Sequence, residues 1–284
     1  MERTNKIYIV GTLKEIKDTR TGEKDGNSWI GGTAIVQSGS EENLIEVKYF
    51  TSETTVTGKP NKKYQNYLNL ENLVGKRVKV NGELSGRAFY NAAQGQLIKF
   101  NEVTAGFFNS ASENDEDKAT FEYSGFVTQE LTEKLNEKEE LQYYTFSIGQ
   151  ANYNGETMRE VQFRISPDRN DIADAVRDAY TVRTTVFIQG VIQHRVTTET
   201  REEEVAIGEP IVKTFTNVDK GFYMTGGKQP IVDDSAYTDE QIDKLLASYK
   251  EYIADIERKA KEQNNSGNSV SKNQPAKGDS NRLI

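Results

Sequence analysis

A repeated order of short apolar runs constrains this chain more than any other feature. Ile7-Tyr8-Ile9-Val10-Gly11-Thr12-Leu13 alternates apolar and other residues and passes through a glycine. Thr120-Phe121-Glu122-Tyr123-Ser124-Gly125-Phe126-Val127 does the same. Each is followed by a polar turn, two more strand-like runs, a short helix and a strand that reaches another glycine. That strand is Val78-Lys79-Val80-Asn81-Gly82-Glu83-Leu84 in the first half and Val186-Phe187-Ile188-Gln189-Gly190-Val191-Ile192 in the second. Few letters match, so the repeat rests on element order. Period-two alternation buries one face of each strand. The 284 residues suit two small β cores with additions.

The first module is expected over 1–108, with strands at 7–13, 29–37, 44–50, 77–84 and 96–103. The polar run 17–27, with Gly22 and Gly26, reads as a hairpin turn. Residues 51–69 read as a long loop, and 70–75 as a short helix ending at Gly75. A hairpin is expected through Gly86 and Gly95. The stretch 109–118 is rich in Ser, Asn, Asp and Glu and reads as a linker. The second module, 119–227, repeats the order with strands at 120–129, 141–149, 158–165, 183–196 and 205–216. Its helix, capped by Asp168 or Asn170, runs to about 180. Residues 228–262 form a turn at Pro230 and an amphipathic helix over 238–262. Thr238 is its N-cap, and Ile242, Leu245, Leu246, Tyr249, Ile253 and Ile256 make an apolar stripe. The Asn-, Ser- and Lys-rich tail, 263–284, is expected to be disordered.

The composition removes several classes of function. With no cysteine, disulfides, thiolate nucleophiles and Cys-bound zinc are excluded. His194 is the single histidine and sits inside an expected strand, which suits a packed residue better than a triad or metal ligand. No phosphate-cradling Gly-x-x-x-x-Gly-Lys-Ser/Thr loop occurs. The reading is therefore non-enzymatic, with no cofactor and no metal. No apolar run is long enough for a spanning helix. The amino terminus leads straight into a strand, so a cytoplasmic protein without a membrane partner is expected. The net charge of −8 is unevenly spread. Residues 1–107 hold 15 Lys/Arg against 12 Asp/Glu, and residues 118–227 hold 12 against 18. A local basic surface is thus expected in the first module only.

Three strands, a helix between the third and fourth, then two more strands is the order of the OB-fold. Gly11, Gly82, Gly125 and Gly190 suit the bends that close such a barrel. Two such modules, no catalytic motif and a polar tail resemble phage-type single-stranded DNA-binding proteins. The resemblance covers about residues 5–225. It implies a mostly β chain of two tandem five-stranded OB barrels, followed by the helix and tail. It also implies binding of single-stranded DNA with little sequence preference during phage-type replication or recombination, in the host cytoplasm if the protein is phage-encoded. Many single-strand binders end in an acidic tail; this chain ends in Lys277-Gly278-Asp279-Ser280-Asn281-Arg282-Leu283-Ile284, so no such recruiting tail is expected.

Single-strand binding needs cations for the backbone and aromatic faces for bases. The candidates are Lys59, Lys62, Lys63, Tyr64 and Tyr67 in the loop, Arg87, Phe89 and Tyr90 in the last hairpin, and Trp29, Lys48 and Phe50 on strands two and three. Trp29, Phe50 and Tyr67 suit a core equally well, and the lysines a solvated loop. In the second module Tyr143, Arg159, Arg164, Arg195 and Arg201 are weaker candidates, because Glu202-Glu203-Glu204 would repel phosphate. The other readings are a protein-interaction module, such as a replication accessory or host-factor inhibitor, and a virion structural protein. The apolar stripe of the helix 238–262 suits packing on its own domain, and the rival reading is a surface for replication proteins or self-association. Because the tail lacks apolar period, deleting 264–284 is expected to leave the thermal midpoint unchanged; a lowered midpoint by circular dichroism would contradict this.

Overall fold

A computed structural model describes residues 3–91, 94–203 and 211–267. The chain is mostly β. The first five strands are β1 (Asn5–Lys24), β2 (Asn27–Gln37), β3 (Leu44–Ser52), β4 (Arg77–Asn91) and β5 (Gln96–Ser110). They pair in the order β1-β2-β3-β5-β4 and back to β1. The next five are β6 (Lys118–Leu135), β7 (Leu141–Ala151), β8 (Met158–Ile165), β9 (Thr185–Glu203) and β10 (Ile211–Gly227). They pair as β6-β7-β8-β10-β9 and back to β6. Each circuit carries one helical segment between its third and fourth strands: α1 (Lys62–Leu68) with a 3-10 turn (Leu70–Leu73), and α2 (Asn170–Ala179). A long helix, α3 (Asp239–Gly267), follows the second circuit.

Alternation explains the strands. Ile45, Val47 and Tyr49 on β3, and Val161, Phe163 and Ile165 on β8, all point into the core, as their spacing requires. Under α1 the rings of Tyr49 and Tyr67 lie 5.2 Å apart, and those of Tyr67 and Phe108 6.2 Å apart. In the second half Phe163 meets Phe121 at 5.3 Å and Tyr123 at 5.1 Å. Such contacts add about 0.5–1.5 kcal/mol each to burial alone.

Several local expectations are corrected. The polar run after Leu13 does not turn at 17: β1 continues to Lys24, paired with β2 down to Lys24↔Asn27, and Asp25-Gly26 alone makes the reversal. An exposed ribbon can be polar on both faces, so alternation does not reveal it. The loop 51–69 contains α1, capped by the Asn61 side chain on Lys63 N at 3.1 Å; seven residues are too few to show a period. Neither Asp168 nor Asn170 caps α2, whose N-cap is Arg169. Asn170 is occupied instead as the acceptor of the Tyr144 hydroxyl, at 2.8 Å. Of the expected linker, 109–110 belong to β5 and 118 to β6. The rest is tied down by Arg77–Asp117 at 2.5 Å and Lys79–Asp115 at 2.8 Å. The strand expected at 205–216 is β10, which starts at Ile211; residues 204–210 lie outside the described residues. Thr238 does cap α3, with Gln241 returning the bond: Gln241 N donates to Thr238 Oγ1 at 3.3 Å and Thr238 N to Gln241 Oε1 at 3.1 Å. The helix extends to Gly267 and so takes in the first part of the expected tail; 268–284 lie outside the described residues.

The two circuits are one continuous sheet. The first half of β1 pairs antiparallel with the first half of β6, from Asn5↔Tyr123 to Val10↔Lys118. If Gly11 is matched to Gly125, Ile7 matches Phe121, and these two residues are register partners. A local two-fold relation therefore passes through that pair. It recurs in the flanking contacts: β4 touches β8, and its counterpart β9 touches β3. The buried residues of both halves accordingly form one apolar cluster. The helix α3 breaks the symmetry. Ile242 and Leu245 bury against Phe126, Met158 and Tyr237, and farther along Lys261 reaches the Tyr90 ring of β4 at 5.5 Å.

Gly86 shows how close the seam is. It lies within β4, not at a hairpin turn, and a Cβ there would overlap the Glu160 carbonyl oxygen of β8. The reversal falls beyond Asn91, next to Gly95, which has a φ of 63°. Backbone cannot yield as a flexible side chain does. Gly86→Ala is therefore expected to cost about 1–3 kcal/mol by overpacking, read as a lower urea midpoint at unchanged slope. An unchanged midpoint would show that the seam yields freely.

Candidate functional site

The outer faces of β2 and β3 carry the first part of the site. Trp29 and Phe50 stand next to each other, ring centroids 5.7 Å apart. Glycines make the floor beneath them: a Cβ on Gly22 would come within 2.7 Å of the Trp29 ring, and one on Gly31 within 2.9 Å of the Phe50 ring. Phe50 is 63% exposed and Trp29 is half-buried, so the aromatic face is open chiefly at Phe50. Two residues along β3, Lys48 donates to Thr33 Oγ1 at 2.7 Å.

The same face runs into a cleft of about 690 Å³ between the circuits. Its walls are mainly β3 and β5 from the first half and β8 and β10 from the second, strands related by the local two-fold, with Gln129 of β6, Ser147 of β7 and His194 of β9 completing the lining. On the rim Phe100 packs edge-on against Phe89 at 5.8 Å, both more than a third exposed. The cations of the cleft are largely matched by carboxylates. Lys99 pairs with Glu160 at 2.5 Å, Lys220 with Glu46 at 2.8 Å, Arg164 with Asp219 at 2.8 Å and Arg87 with Glu102 at 2.6 Å. Burial works to raise the Glu46 carboxyl, but the hydrogen bond and charge of Lys220 outweigh it and hold the group below the usual range. Arg164 also lies 4.0 Å from the centre of the Tyr143 ring.

The expected binding residues are thus divided. Trp29, Lys48, Phe50, Arg87 and Phe89 share the face and cleft rim. Lys59 lies exposed in a separate turn, and Lys62 is exposed on α1. Lys63 points elsewhere, its Nζ 6.0 Å from the Phe107 ring. Tyr64 packs against the core edge. Tyr67 is corrected: it is only 2% exposed and donates to the Ala105 carbonyl at 2.8 Å, so neither ring face is open, and burial raises its hydroxyl pKa. Tyr90 turns away from Phe89 and sits beneath Lys261 of α3. In the second half Arg159 points away from the cleft to Glu83 at 3.0 Å, as its phase relative to Arg164 requires, while Arg195 pairs with Glu42 at 3.6 Å. The side chains of Arg201 and the acidic run after it lie outside the described residues. Sequence reasoning missed Phe100, Lys99 and Lys220. Phe100 was legible as the partner of Arg87 in a hairpin, but Lys220 enters only through the joining of the circuits.

His194 lies in the cleft wall and holds the halves together. Its Nδ1 accepts from Glu46 N at 3.1 Å, and its own backbone N donates to Asn43 Oδ1 at 2.8 Å. Among the described residues no group of His, Cys, Asp and Glu is placed to hold a metal, and no helix is long and apolar enough to cross a membrane.

The arrangement is similar to that of solved structures. A deletion mutant of the single-stranded DNA binding protein from Thermus aquaticus matches with a TM-score of 0.51 at 12% identity, over 84% of this chain and 100% of that one. The wild-type Thermus aquaticus protein matches with a TM-score of 0.51 at 10% identity, over 84% and 99%. At that identity the likeness establishes the fold. No curated protein matches the sequence. The YorF family model matches residues 3–259, and the chain belongs to the YorF family.

Burial, and then the charge of Lys220, lower the pKa of His194 from 6.5 to about 4. The folded state thus binds this proton less readily than the unfolded state. The stabilisation is complete above pH 6.5 and is lost as pH falls from there to about 4, by up to about 3 kcal/mol. Stability measured by urea from pH 8 to 4 is expected to fall in that window. In His194→Gln, whose amide oxygen can still accept from Glu46, the part due to this group should vanish. A variant that keeps the full dependence would exclude His194 as its source.

Proposed function

We propose that this protein binds single-stranded DNA with little sequence preference, as two OB-fold barrels fused in tandem. The observation that carries the reading is the Trp29–Phe50 face over Gly22 and Gly31, from which Lys48 leads into the cleft that has the Phe100–Phe89 pair on its rim. Unstacked bases need such faces, and each stacked base is worth roughly 1–3 kcal/mol. The two five-strand circuits, each with a helical segment between strands three and four, support the barrel reading. Sequence-tolerant stacking suits a strand-protecting role in phage-type DNA replication or recombination, in the host cytoplasm, without enzymatic activity. Module one supplies the aromatic faces and module two the far wall of the cleft. The exposed side of α3, with Tyr252, is a surface for replication proteins or for a second copy of the chain.

A protein-interaction role is the second reading. It is favoured by the carboxylates that already occupy the cleft cations and by the acidic second half.

Fluorescent oligo(dT) and a duplex of equal length, titrated over a salt series, separate the two. Tighter binding of the single strand is expected, with quenching of Trp29, the one tryptophan. Phe50→Ala should cost about 1–3 kcal/mol with little change in salt slope, because stacking releases few ions. Equal affinity for duplex and single strand, or an unaffected Phe50→Ala, would contradict this reading, and absence of oligonucleotide binding would favour the protein-interaction role.

A further inference from the structure

A second surface lies where the circuits join. Outward residues of four neighbouring strands fall in one row: Phe107 on β5 opposes Asn81 on β4, Asn81 opposes Tyr8 on β1, and Tyr8 opposes Thr120 on β6. The row crosses the seam and floors a groove of about 590 Å³ lined by Lys6, Tyr8, Lys63, Asn81, Phe107 and Glu122 among others. Tyr8 is 37% exposed and lies under Lys118, whose Nζ is 4.4 Å from the ring centre. Lys63 stands 6.0 Å from the Phe107 ring in the same manner.

The electrostatics differ from those of the cleft. There Lys99, Arg164 and Lys220 each already hold a carboxylate. Here, among the described residues, none of Lys6, Lys63 and Lys118 is ion-paired, and Glu122 is the one carboxylate in the lining. In a chain of net charge −8 this is a concentration of uncommitted cations beside two aromatic rings. Lysines resting over rings are held weakly, at roughly 0.5–1 kcal/mol for an exposed cation–π contact. A base can therefore displace the ammonium from the ring face while the flexible stem carries it to the adjacent phosphate. Duplex DNA keeps its base faces stacked and offers these rings nothing.

We propose that the seam groove is a second contact site for single-stranded nucleic acid, with Tyr8 and Phe107 stacking on bases and Lys6, Lys63 and Lys118 meeting phosphates. This rests on the proposed single-strand binding, and extends it from the cleft to a separate face built by both halves. Because its members come from β1, β5 and α1 of the first half and β6 of the second, the site exists only when β1 and β6 are paired.

The test uses the full chain and oligo(dT) of about 8 and about 40 nucleotides, around and above the site size of one or two OB modules. Trp29 quenching reports on the Trp29–Phe50 face, and anisotropy reports total affinity. The variants are Tyr8→Ala/Phe107→Ala and, to spare the packing, Lys6→Gln/Lys63→Gln/Lys118→Gln. The aromatic pair should lower affinity for the long oligonucleotide at least fivefold, with Trp29 quenching by the short one unchanged. The lysine variant should flatten the log–log salt slope by about 2, near 0.7 for each phosphate lost. Wild-type binding that neither variant changes overturns the seam site and leaves single-strand binding intact. Absence of any oligonucleotide binding by the wild type overturns the proposed function itself. If oligoglutamate binds the wild type and not the lysine variant, while oligonucleotide affinity is the same in both, the groove takes an acidic peptide and the proposal fails.

Discussion

The pairing of β1 with β6 is the interaction on which the rest of the structure depends. An opening strand of a five-strand circuit has one edge free where it is not paired within its own circuit. Left open, such an edge invites association with another chain. Here each opening strand covers the edge of the other, from Asn5↔Tyr123 to Val10↔Lys118. The repeated sequence thus satisfies its own backbone. The consequences spread outward: the apolar cluster becomes continuous, β8 is brought against β4 at Gly86, and His194 reaches the backbone of β3. The segment 111–117, held by Arg77 and Lys79, carries the chain across this junction.

That geometry also decides the electrostatics of the candidate site. Bringing β3 and β5 to face β8 and β10 gathers lysines and carboxylates from both halves, and they neutralise one another. The resulting pairs are partly exposed, and such ion pairs contribute only about 0–1 kcal/mol each. A phosphate can replace a carboxylate there at small cost, whereas the aromatic faces offer a gain of roughly 1–3 kcal/mol per base. On the proposed function, stacking would therefore contribute more than ion pairing, and the Trp29–Phe50 face would govern binding more than the number of lysines does. An acidic chain can accommodate a polyanion in this way without a large basic surface.

Much of the fold was legible in the sequence for a simple reason. Where one face of a strand is buried, as at Ile45, Val47 and Tyr49, alternation marks both the strand and its inward side. Legibility ends where burial does. The outer half of β1 projects as a ribbon and carries polar residues on both faces, so it reads as a turn. α1 is too short to show a helical period. Of the candidate face, the outward placement of Trp29, Lys48 and Phe50 is legible because they alternate with core residues on neighbouring strands. Tyr67 is ambiguous between core and surface because a tyrosine suits both, and a hydroxyl bonded to a backbone carbonyl has no local signature. Lys220 and the seam row depend on the pairing of distant strands, which no local pattern encodes.

The central claim is that a single strand lies on the Trp29–Phe50 face. Photocrosslinking with oligo(dT) carrying 5-iodouracil, followed by identification of the crosslinked peptides by mass spectrometry, tests it most directly. The account predicts crosslinks at Trp29 or Phe50, with further ones at Phe100 or Phe89 along the rim. Efficient crosslinking confined to α3, with none on β2, β3 or β5, would contradict it.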